Sequence, residues 1–238
     1  MKTEGSGALR VLSWNVHGCI DTRGRYRPEE VASMLQRLDA DILALQEVDT
    51  RRRPVGDINA RELFERTVAS QSVFAATLAD ASGQYGHMLM SRFPIEQAHI
   101  HDLPRFDKEP RKLIHGRVRT DQGPVDAFAT HLGFRRREQA PQVRAVAGLI
   151  SDARHPVVLL GDLNERFRRG AVFRALNPGF QSAPRRATFP SRWPVLPLDQ
   201  IWFRSLHLVQ SRICRESGGL SDHLPVMADL SFGEGQGG

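Results

Sequence analysis

The sequence predicts an α/β fold in which two β-sheets pack face to face and helices cover their outer surfaces. Short apolar runs rich in β-branched residues alternate with segments whose apolar residues recur at helical spacing. The predicted elements follow the order β-α-β, further strands, one helix and again strands. This order repeats roughly once in each half of the chain. Strands this apolar need cover on both faces, which two packed sheets with outer helices provide.

The first half of the chain begins with a β-α-β pattern. Arg10–Val16 and Ile42–Val48 are apolar runs that predict buried strands. Between them, Pro28 suits the first turn of a helix. The apolar residues on one face of that predicted helix are Val31, Leu35 and Leu38.

A second helix and a series of short strands are expected next. Asn59 followed by Glu62 resembles a capping box and predicts a helix that runs to about Gln71. Gly, Pro and Asp residues then separate shorter β-prone segments. The predicted strands are Val73–Ala79, His87–Ser91, Leu113–Thr120 and Val125–Thr130.

The second half returns to one helix and then to strands. Apolar residues at helical spacing predict a helix over Gln139–Asp152. The strands predicted to follow are Val157–Leu163, Leu198–Phe203, Leu206–Arg215 and His223–Leu230. No linker rich in Pro, Gly or Ser divides the chain, so we expect one domain over residues 8–232 and a disordered tail over 233–238.

Composition excludes several classes of protein. With 40% hydrophobic and 25% charged residues among 238, the chain has the mix of an ordinary globular protein. It has no apolar run of about 18 residues and no basic-then-apolar leader pattern. Cys19 and Cys214 have no metal-binding spacing. We therefore expect a cytoplasmic protein without stable membrane insertion, and we treat it as a monomer.

The chain is basic, and its basic residues are almost all arginine. Lys+Arg number 33 against 27 Asp+Glu, which gives a formal net charge of +6 and a sequence pI near 10.1. Only Lys2, Lys108 and Lys112 are lysines. The skew is compatible with the nucleotide composition of the gene, and equally with phosphate binding, since the planar guanidinium fork matches phosphate oxygens.

Acidic, amide and imidazole side chains recur where the predicted strands end. One such residue is usually a turn former. A whole set of them within one domain instead indicates a site, because the ends of neighbouring strands lie close together. The set comprises Asn15, Glu47, His131, Asp162, Asn164 and the pair Asp222–His223, which we expect to open the last strand.

These residues lie in blocks that resemble the signature of the endonuclease/exonuclease/phosphatase superfamily. The blocks occur in that family's order and span residues 10 to 230, and Gly86–Ile95 resembles an intervening strand block. The resemblance implies a four-layer α/β/β/α sandwich and a hydrolase of phosphoesters that uses a divalent metal. The blocks are Leu12–Gly18 (LSWNVHG), Leu45–Asp49 (LQEVD), Thr130–Leu132 (THL), Gly161–Asn164 (GDLN) and Ser221–Val226 (SDHLPV).

The resemblance also implies a metal site. By position, Glu47 would be the main ligand, with Asn15 and Asp222 near the ion. Oxygen ligands of this kind suit Mg²⁺ or Mn²⁺ and argue against zinc.

Five further residues take catalytic positions by the same resemblance. Asp162 would orient the attacking water, and Asn164 and His131 would hydrogen-bond phosphate oxygens. His223 would pair with Asp199, which fixes the tautomer of its imidazole. Either Asp162 or His223 could take the proton from water. The chain has no Cys or Ser nucleophile motif, so we expect direct hydrolysis without a covalent intermediate.

Arginine clusters follow three of the strands that carry these residues. They lie at 51–53, at 135–137, and at 166, 168 and 169. A basic rim around the site would attract a polyanionic substrate, although an arginine-rich chain also places arginine on any exposed loop. The residues predicted to bind substrate are Arg111, Arg135, Arg136 and Arg166.

Two substrate classes and one inactive alternative remain. The basic rim slightly favours nucleic acid, DNA or RNA, as the phosphodiester substrate. A phospholipid or inositol phosphate headgroup is the alternative, since anionic lipids also attract arginine. A catalytically inactive binding module on the same fold is disfavoured because the full set of acidic and imidazole residues is present.

Overall fold

Two six-stranded sheets pack together in the computed structural model, which describes residues 7–52, 58–69, 71–105 and 109–233. The strands are β1 (Leu9–Asn15), β2 (Ile42–Asp49), β3 (Gln71–Asp80), β4 (Gly83–Ser91), β5 (Ile95–Asp102), β6 (Lys112–Thr120), β7 (Gly123–His131), β8 (Val157–Asp162), β9 (Gln181–Ser182), β10 (Asp199–Arg204), β11 (Leu206–Ile213) and β12 (Val226–Phe232). The helices are α1 (Pro28–Leu38), α2 (Ala60–Thr67), α3 (Arg136–Ser151) and α4 (Ala171–Leu176).

Each sheet is mixed and contains one parallel pair. The first sheet has the order β11-β12-β1-β2-β4-β3, in which β1 and β2 run parallel. The second has the order β5-β6-β7-β8-β10-β9, in which β7 and β8 run parallel. Because parallel neighbours end at the same edge, the residues that follow each pair lie side by side.

Three apolar clusters separate four layers. The cluster between the sheets joins residues of both, such as Val11 of β1 and Leu160 of β8. A second cluster lies under α1 and α2 on the outer face of the first sheet and includes Trp14 and Phe64. A third lies under α3 and α4 and includes Trp202. The layering confirms the predicted α/β/β/α sandwich.

Several elements differ from the sequence-based expectation. The Asn59 side chain does accept a hydrogen bond from the Glu62 amide, at 3.1 Å, but the helix it caps ends at Thr67 rather than near residue 71. Strand β5 was not predicted because it is an edge strand of mostly exposed residues without apolar alternation. Helix α4 spans six residues, too few for a periodic signal.

The last strand also begins later than expected. Asp222 and His223 do not open it: they lie in the preceding loop, and β12 starts at Val226. Pro225 cannot donate a backbone hydrogen bond to a ladder, so pairing begins after it. Of the expected tail, residues 234–238 lie outside the described residues, and the domain limits stay a prediction. Within the described ranges, no helix is long and apolar enough to cross a membrane.

A buried carboxylate on β7 connects β6 and the segment that precedes β8. Asp126 on β7 has no exposed surface and contacts Nε2 of His115 at 3.0 Å, Nδ1 of His155 at 3.1 Å and Nε of Arg117 at 3.3 Å. Burial acts to raise the pKa of Asp126, but hydrogen bonds from the two histidines and nearby positive charge bring it below 3.8. A carboxyl with a lowered folded pKa stabilises the fold above its unfolded pKa and loses that effect as pH falls through the folded value.

We expect Asp126→Asn to lower the free energy of unfolding by about 3 kcal/mol at pH 7, because three donors lose a charged acceptor. The difference from wild type should shrink as pH falls below about 4, where the native carboxylate also becomes protonated. Urea denaturation at several pH values measures both effects, with the exposed Asp121→Asn as the matched control. A loss that stays constant down to pH 3 would contradict this assignment.

Candidate active site

The two parallel strand pairs bring polar side chains from both sheets to one edge of the sandwich. Asn15 is the last residue of β1, and Glu47 lies near the end of its neighbour β2. In the second sheet, His131 and Asp162 are the last residues of β7 and β8 and lie opposite each other in register. Residues far apart in sequence therefore meet where the strands end.

The amide of Asn15 connects the two sheets at this edge. Its Nδ2 donates a hydrogen bond to Glu47 Oε1 at 2.8 Å, within the first sheet. The same nitrogen lies 3.2 Å from Oδ2 of Asp162, in the second sheet. Two carboxylates thus face one neutral amide, while Asn15 Oδ1 accepts from the His17 amide at 3.0 Å.

Asp162 is the centre of the contacts in the second sheet. Its Oδ2 lies 3.5 Å from His131 Nε2 and 3.8 Å from His223 Nε2, and its Oδ1 accepts from the Asn164 amide at 3.0 Å. Burial and the neighbouring Asp199 raise the pKa of Asp162 to about 7, although His223 and the donors from Asn15 and Asn164 act in the opposite direction.

His223 is held between two carboxylates. Its Nδ1 lies 2.8 Å from Oδ2 of Asp199, which begins β10 directly opposite Asp162. Burial alone would lower the pKa of His223, but Asp199, with Asp162 and Asp222, raises it to about 10. Thr188 adds a donor to the pair, since its hydroxyl lies 2.6 Å from Asp199 Oδ2. The expected His223–Asp199 pair is therefore present geometrically, and both ring nitrogens face carboxylates.

A serine that sequence reasoning left without a role fixes the loop that carries His223. The Ser221 hydroxyl donates to the Asn15 carbonyl at 2.7 Å and accepts from the His223 amide at 3.1 Å. The indole of Trp14 donates to the His223 carbonyl at 3.0 Å. The only available signal for Ser221 was its place in the SDHLPV block, whereas nothing in the sequence marked Thr188.

Glu47 has an unusual backbone and a second partner. Its φ of 59° places it in the left-handed region, at the irregularity where pairing of β2 with β4 shifts. This backbone turn directs the side chain to the strand end. Burial and the carboxylates of Glu47 and Glu109 raise the pKa of Tyr85, whose phenol hydrogen-bonds Glu47. Tyr85 was also missed, because its role comes only from its contact with Glu47, which is distant in sequence.

His131 and Asn164 lie beside Asp162 on the second-sheet side of the site. The pKa of His131 lies well below 6.5, because of burial and the positive charges of Arg111, His87 and His223, so its ring is neutral. The side-chain amide of Asn164 donates through Nδ2 to the Leu132 carbonyl at 2.9 Å. Its second N–H has no acceptor among the described residues and could donate to a ligand. Asn164 has a φ of 51°, a conformation that asparagine tolerates better than most residues.

Asp222 is the most open of the predicted metal ligands. Its side chain is 34% exposed, and its Oδ1 lies 3.5 Å from His17 Nδ1. It adds negative charge to the surroundings of His223 but forms no hydrogen bond or ion pair with Asn15 or Glu47 in the described part of the chain. The structure thus joins seven of the eight predicted site residues by direct contacts and places Asp222 beside them.

In the part of the chain that the structure describes, no lysine or arginine forms an ion pair with the acidic side chains of this site. Within residues 7–52, 58–69, 71–105 and 109–233, the ion-pair partners of its acidic side chains are histidines alone. The closest grouping of ligand atoms, all within 4.8 Å of one another, is Asp162, Asp199 and His223. This acidic cluster could hold a metal ion. The four acidic side chains are Glu47, Asp162, Asp199 and Asp222.

The predicted substrate-binding arginines lie in two environments. Arg111 is largely buried, pairs with Glu109 at 3.5 Å, and acts electrostatically on His131. Arg135 and Arg166 are exposed on the loops that follow β7 and β8, and Arg136 is exposed at the first position of α3.

The arginine cluster at 51–53, which follows Glu47, is partly engaged in ion pairs within the protein. Arg51 and Arg52 both pair with Asp49, at 2.9 and 3.6 Å. Arg53 lies outside the described residues. The exposed arginines near the site are therefore mainly those that follow strands of the second sheet.

Comparisons with known proteins give a family and a common fold. The model of the Endonuclease/Exonuclease/phosphatase family matches residues 12–223. The uncharacterized protein YbhP of Escherichia coli K12 is 25% identical over 243 residues, which cover 94% of this chain and 96% of YbhP. An endonuclease/exonuclease/phosphatase structure from Beutenbergia cavernae superposes with a TM-score of 0.78 at 22% identity, over 95% of this chain and 72% of that one. The structure of D. rerio TDP2 complexed with single strand DNA product superposes with a TM-score of 0.74 at 19% identity, over 95% and 100%.

We expect Thr188→Val to lower the free energy of unfolding by about 2 kcal/mol, because a buried carboxylate, Asp199, loses a hydroxyl donor. The control is Thr67→Val, which removes a hydroxyl that bonds the Leu63 carbonyl on an exposed helix surface. Urea denaturation of both variants measures the difference. Equal losses in the two variants would show that the Thr188 contact has no special weight.

Proposed function

The chain belongs to the endonuclease/exonuclease/phosphatase family, and we propose that it is a divalent-metal-dependent hydrolase that cleaves phosphodiester bonds by direct attack of water. The observation that carries this proposal is the pair of carboxylates, Glu47 and Asp162, that meet at the Asn15 amide without lysine or arginine partners among the described residues. Gathered carboxylates repel one another, and a bound cation would offset that repulsion.

The donor set fits a hard cation. Carboxylate and amide oxygens from Glu47, Asn15 and Asp222 are the ligands that Mg²⁺ or Mn²⁺ accepts, and no sulfur ligand is near. We assign the ion to these residues rather than to the Asp162–Asp199–His223 grouping, because both ring nitrogens of His223 already face carboxylates. When bound, the metal supplies Lewis-acid stabilisation of charge on phosphate oxygens.

The remaining side chains have roles in positioning water and phosphate. Asp162 would accept a hydrogen bond from the attacking water through Oδ2, which faces the centre of the site. His131, neutral and buried, and the second N–H of Asn164 would donate to phosphate oxygens. His223, oriented by Asp199, would donate to charge that develops as water attacks in line.

Nucleic acid is the proposed substrate class. Exposed arginines on the loops after β7 and β8 would attract a polyanion to the site. The TDP2 structure, which shares the fold, holds a single strand DNA product, and this supports the same substrate class here. No specific observation favours a phospholipid or inositol phosphate headgroup. The complete set of site residues argues against an inactive binding module.

We expect Glu47→Gln and Asp162→Asn each to lower kcat for Mg²⁺-dependent cleavage of an oligonucleotide by about 10³-fold, because each removes a charge that holds the metal or orients water. Chelation by EDTA should abolish wild-type cleavage, and added Mg²⁺ or Mn²⁺ should restore it. Glu96→Gln, on the edge strand β5, is the control for loss of a carboxylate. Substantial turnover by purified Asp162→Asn would refute its role.

We expect replacement of Arg135, Arg136 and Arg137 by Gln to raise KM for an oligonucleotide several-fold at low salt, because phosphate contacts are lost. The slope of log KM against log salt should become shallower, by about 0.7 for each lost contact with a single strand. A triple variant of Arg66, Arg144 and Arg154, exposed arginines elsewhere, controls for net charge. An unchanged KM at low salt would exclude a role for Arg135, Arg136 and Arg137 in substrate binding.

A further inference from the structure

Two half-exposed phenylalanines lie on neighbouring loops beside the site. Phe134, 51% exposed, follows His131 by three residues, and Phe167, 47% exposed, follows Asn164 by three. Their loops leave the parallel strands β7 and β8 at the same edge of the sheet. Two large aromatic rings in contact with water do not gain the hydrophobic stabilisation that burial would give. Their exposure on neighbouring loops therefore suggests a binding role rather than a role in folding.

Arginines alternate with these rings. The guanidinium of Arg166 lies 4.6 Å from the centre of the Phe134 ring and 5.7 Å from that of Phe167. Arg136 lies 4.4 Å from the centre of the Phe167 ring. We call the four side chains of Phe134, Arg166, Phe167 and Arg136 the Phe–Arg platform. Each cation–π contact attracts a guanidinium to a ring and so orients both groups.

Buried polar contacts hold the second loop of the platform in place. The carboxylate of Glu165, only 2% exposed, accepts hydrogen bonds from the Phe167 amide at 2.9 Å and the Val172 amide at 3.4 Å. Arg185 donates to the Glu165 carbonyl at 2.6 Å. A Cβ on Gly170 would collide with the Glu165 carboxylate, so a larger residue there would force this carboxylate to move.

Contacts from α3 hold the start of both loops, the first at Gly133 and the second at Leu163. The Gly133 amide donates to Gln142 Oε1 at 2.8 Å, and Gln139 Nε2 donates to the Leu163 carbonyl at 2.7 Å. Both glutamines are buried side chains of the helix. The exposed rings therefore stand on anchored backbone, and a ligand would meet a surface that is already formed.

We propose that the Phe–Arg platform stacks unpaired nucleobases, so that the hydrolase, whose activity is the function proposed above, acts on single-stranded rather than duplex nucleic acid. Every base has a π-face that stacks on an aromatic ring or a guanidinium plane, without regard to sequence. In a duplex those faces are covered by neighbouring bases. Guanidinium groups between the rings also place positive charge where the phosphates of the same strand would run.

A lipid surface suits this arrangement less well. Insertion of Phe134 and Phe167 into acyl chains would carry Arg136 and Arg166 with them, because these guanidinium groups lie 4.4 and 4.6 Å from the ring centres. Removing two guanidinium groups from water is costly. Single-stranded nucleic acid uses both the rings and the charges.

The test compares two strands of equal charge, a ten-nucleotide oligothymidylate and the same backbone without bases, bound in EDTA so that no cleavage occurs. We expect wild-type protein to bind the thymidylate at least about tenfold more tightly, since stacking contributes about 1–3 kcal/mol per base. The ratio of the two Kd values should fall to near one in Phe134→Ala/Phe167→Ala. It should persist in Phe134→Tyr/Phe167→Tyr, which keeps the rings.

The control is Ile100→Ala/Val209→Ala, which trims two exposed apolar side chains on the edge strands β5 and β11 and should leave the ratio at its wild-type value. A wild-type ratio near one, an unchanged ratio in the double alanine variant, or equally tight binding of duplex DNA would overturn the proposal. Stronger binding to vesicles of phosphatidylcholine and phosphatidylglycerol than to oligothymidylate would also overturn it. Because these measurements need no turnover, they can fail while Mg²⁺-dependent cleavage stands, and the reverse holds as well.

Discussion

The site depends on one neutral amide placed between two negative charges. Nδ2 of Asn15 lies 2.8 Å from a Glu47 oxygen and 3.2 Å from an Asp162 oxygen, and these carboxylates belong to different sheets. The contact can form only where β1 and β8 end at the same edge of the sandwich. Sheet packing thus sets the separation of the charges, and the Ser221 hydroxyl, bonded to the Asn15 carbonyl, ties the His223 loop to the same point.

Several carboxylates at one buried edge repel one another, and the structure compensates their charge to different degrees. His223 lies between Asp199 and Asp162 and gains a pKa of about 10, while Asp162 itself is raised to about 7. Among the described residues, the hydrogen-bond donors to Glu47 are neutral groups of Asn15 and Tyr85. The half of the site around Glu47 therefore keeps uncompensated negative charge, and there we place the cation.

The sequence predicted the layers, and the strand ends at which the candidate site residues gather, because both follow from local signals. Apolar runs mark buried strands, and polar residues directly after them mark strand ends, so Asn15, Glu47 and Asp162 were identifiable without coordinates. Thr188 and Tyr85 were not, since their importance comes only from contacts with residues distant in sequence. The mostly polar edge strand β5 and the six-residue helix α4 escaped for a related reason: tertiary contacts, rather than periodicity, determine them.

An anomalous difference map from a crystal of the protein soaked in Mn²⁺ tests the central claim most directly. We predict one strong peak within coordination distance of a Glu47 carboxylate oxygen, bordered by the side chains of Asn15 and Asp222. The same soak of Glu47→Gln crystals should lose that peak. A peak confined to Asp162, Asp199 and His223, or manganese bound only at scattered surface carboxylates, would contradict the claim that the edge between the two sheets is built around a metal.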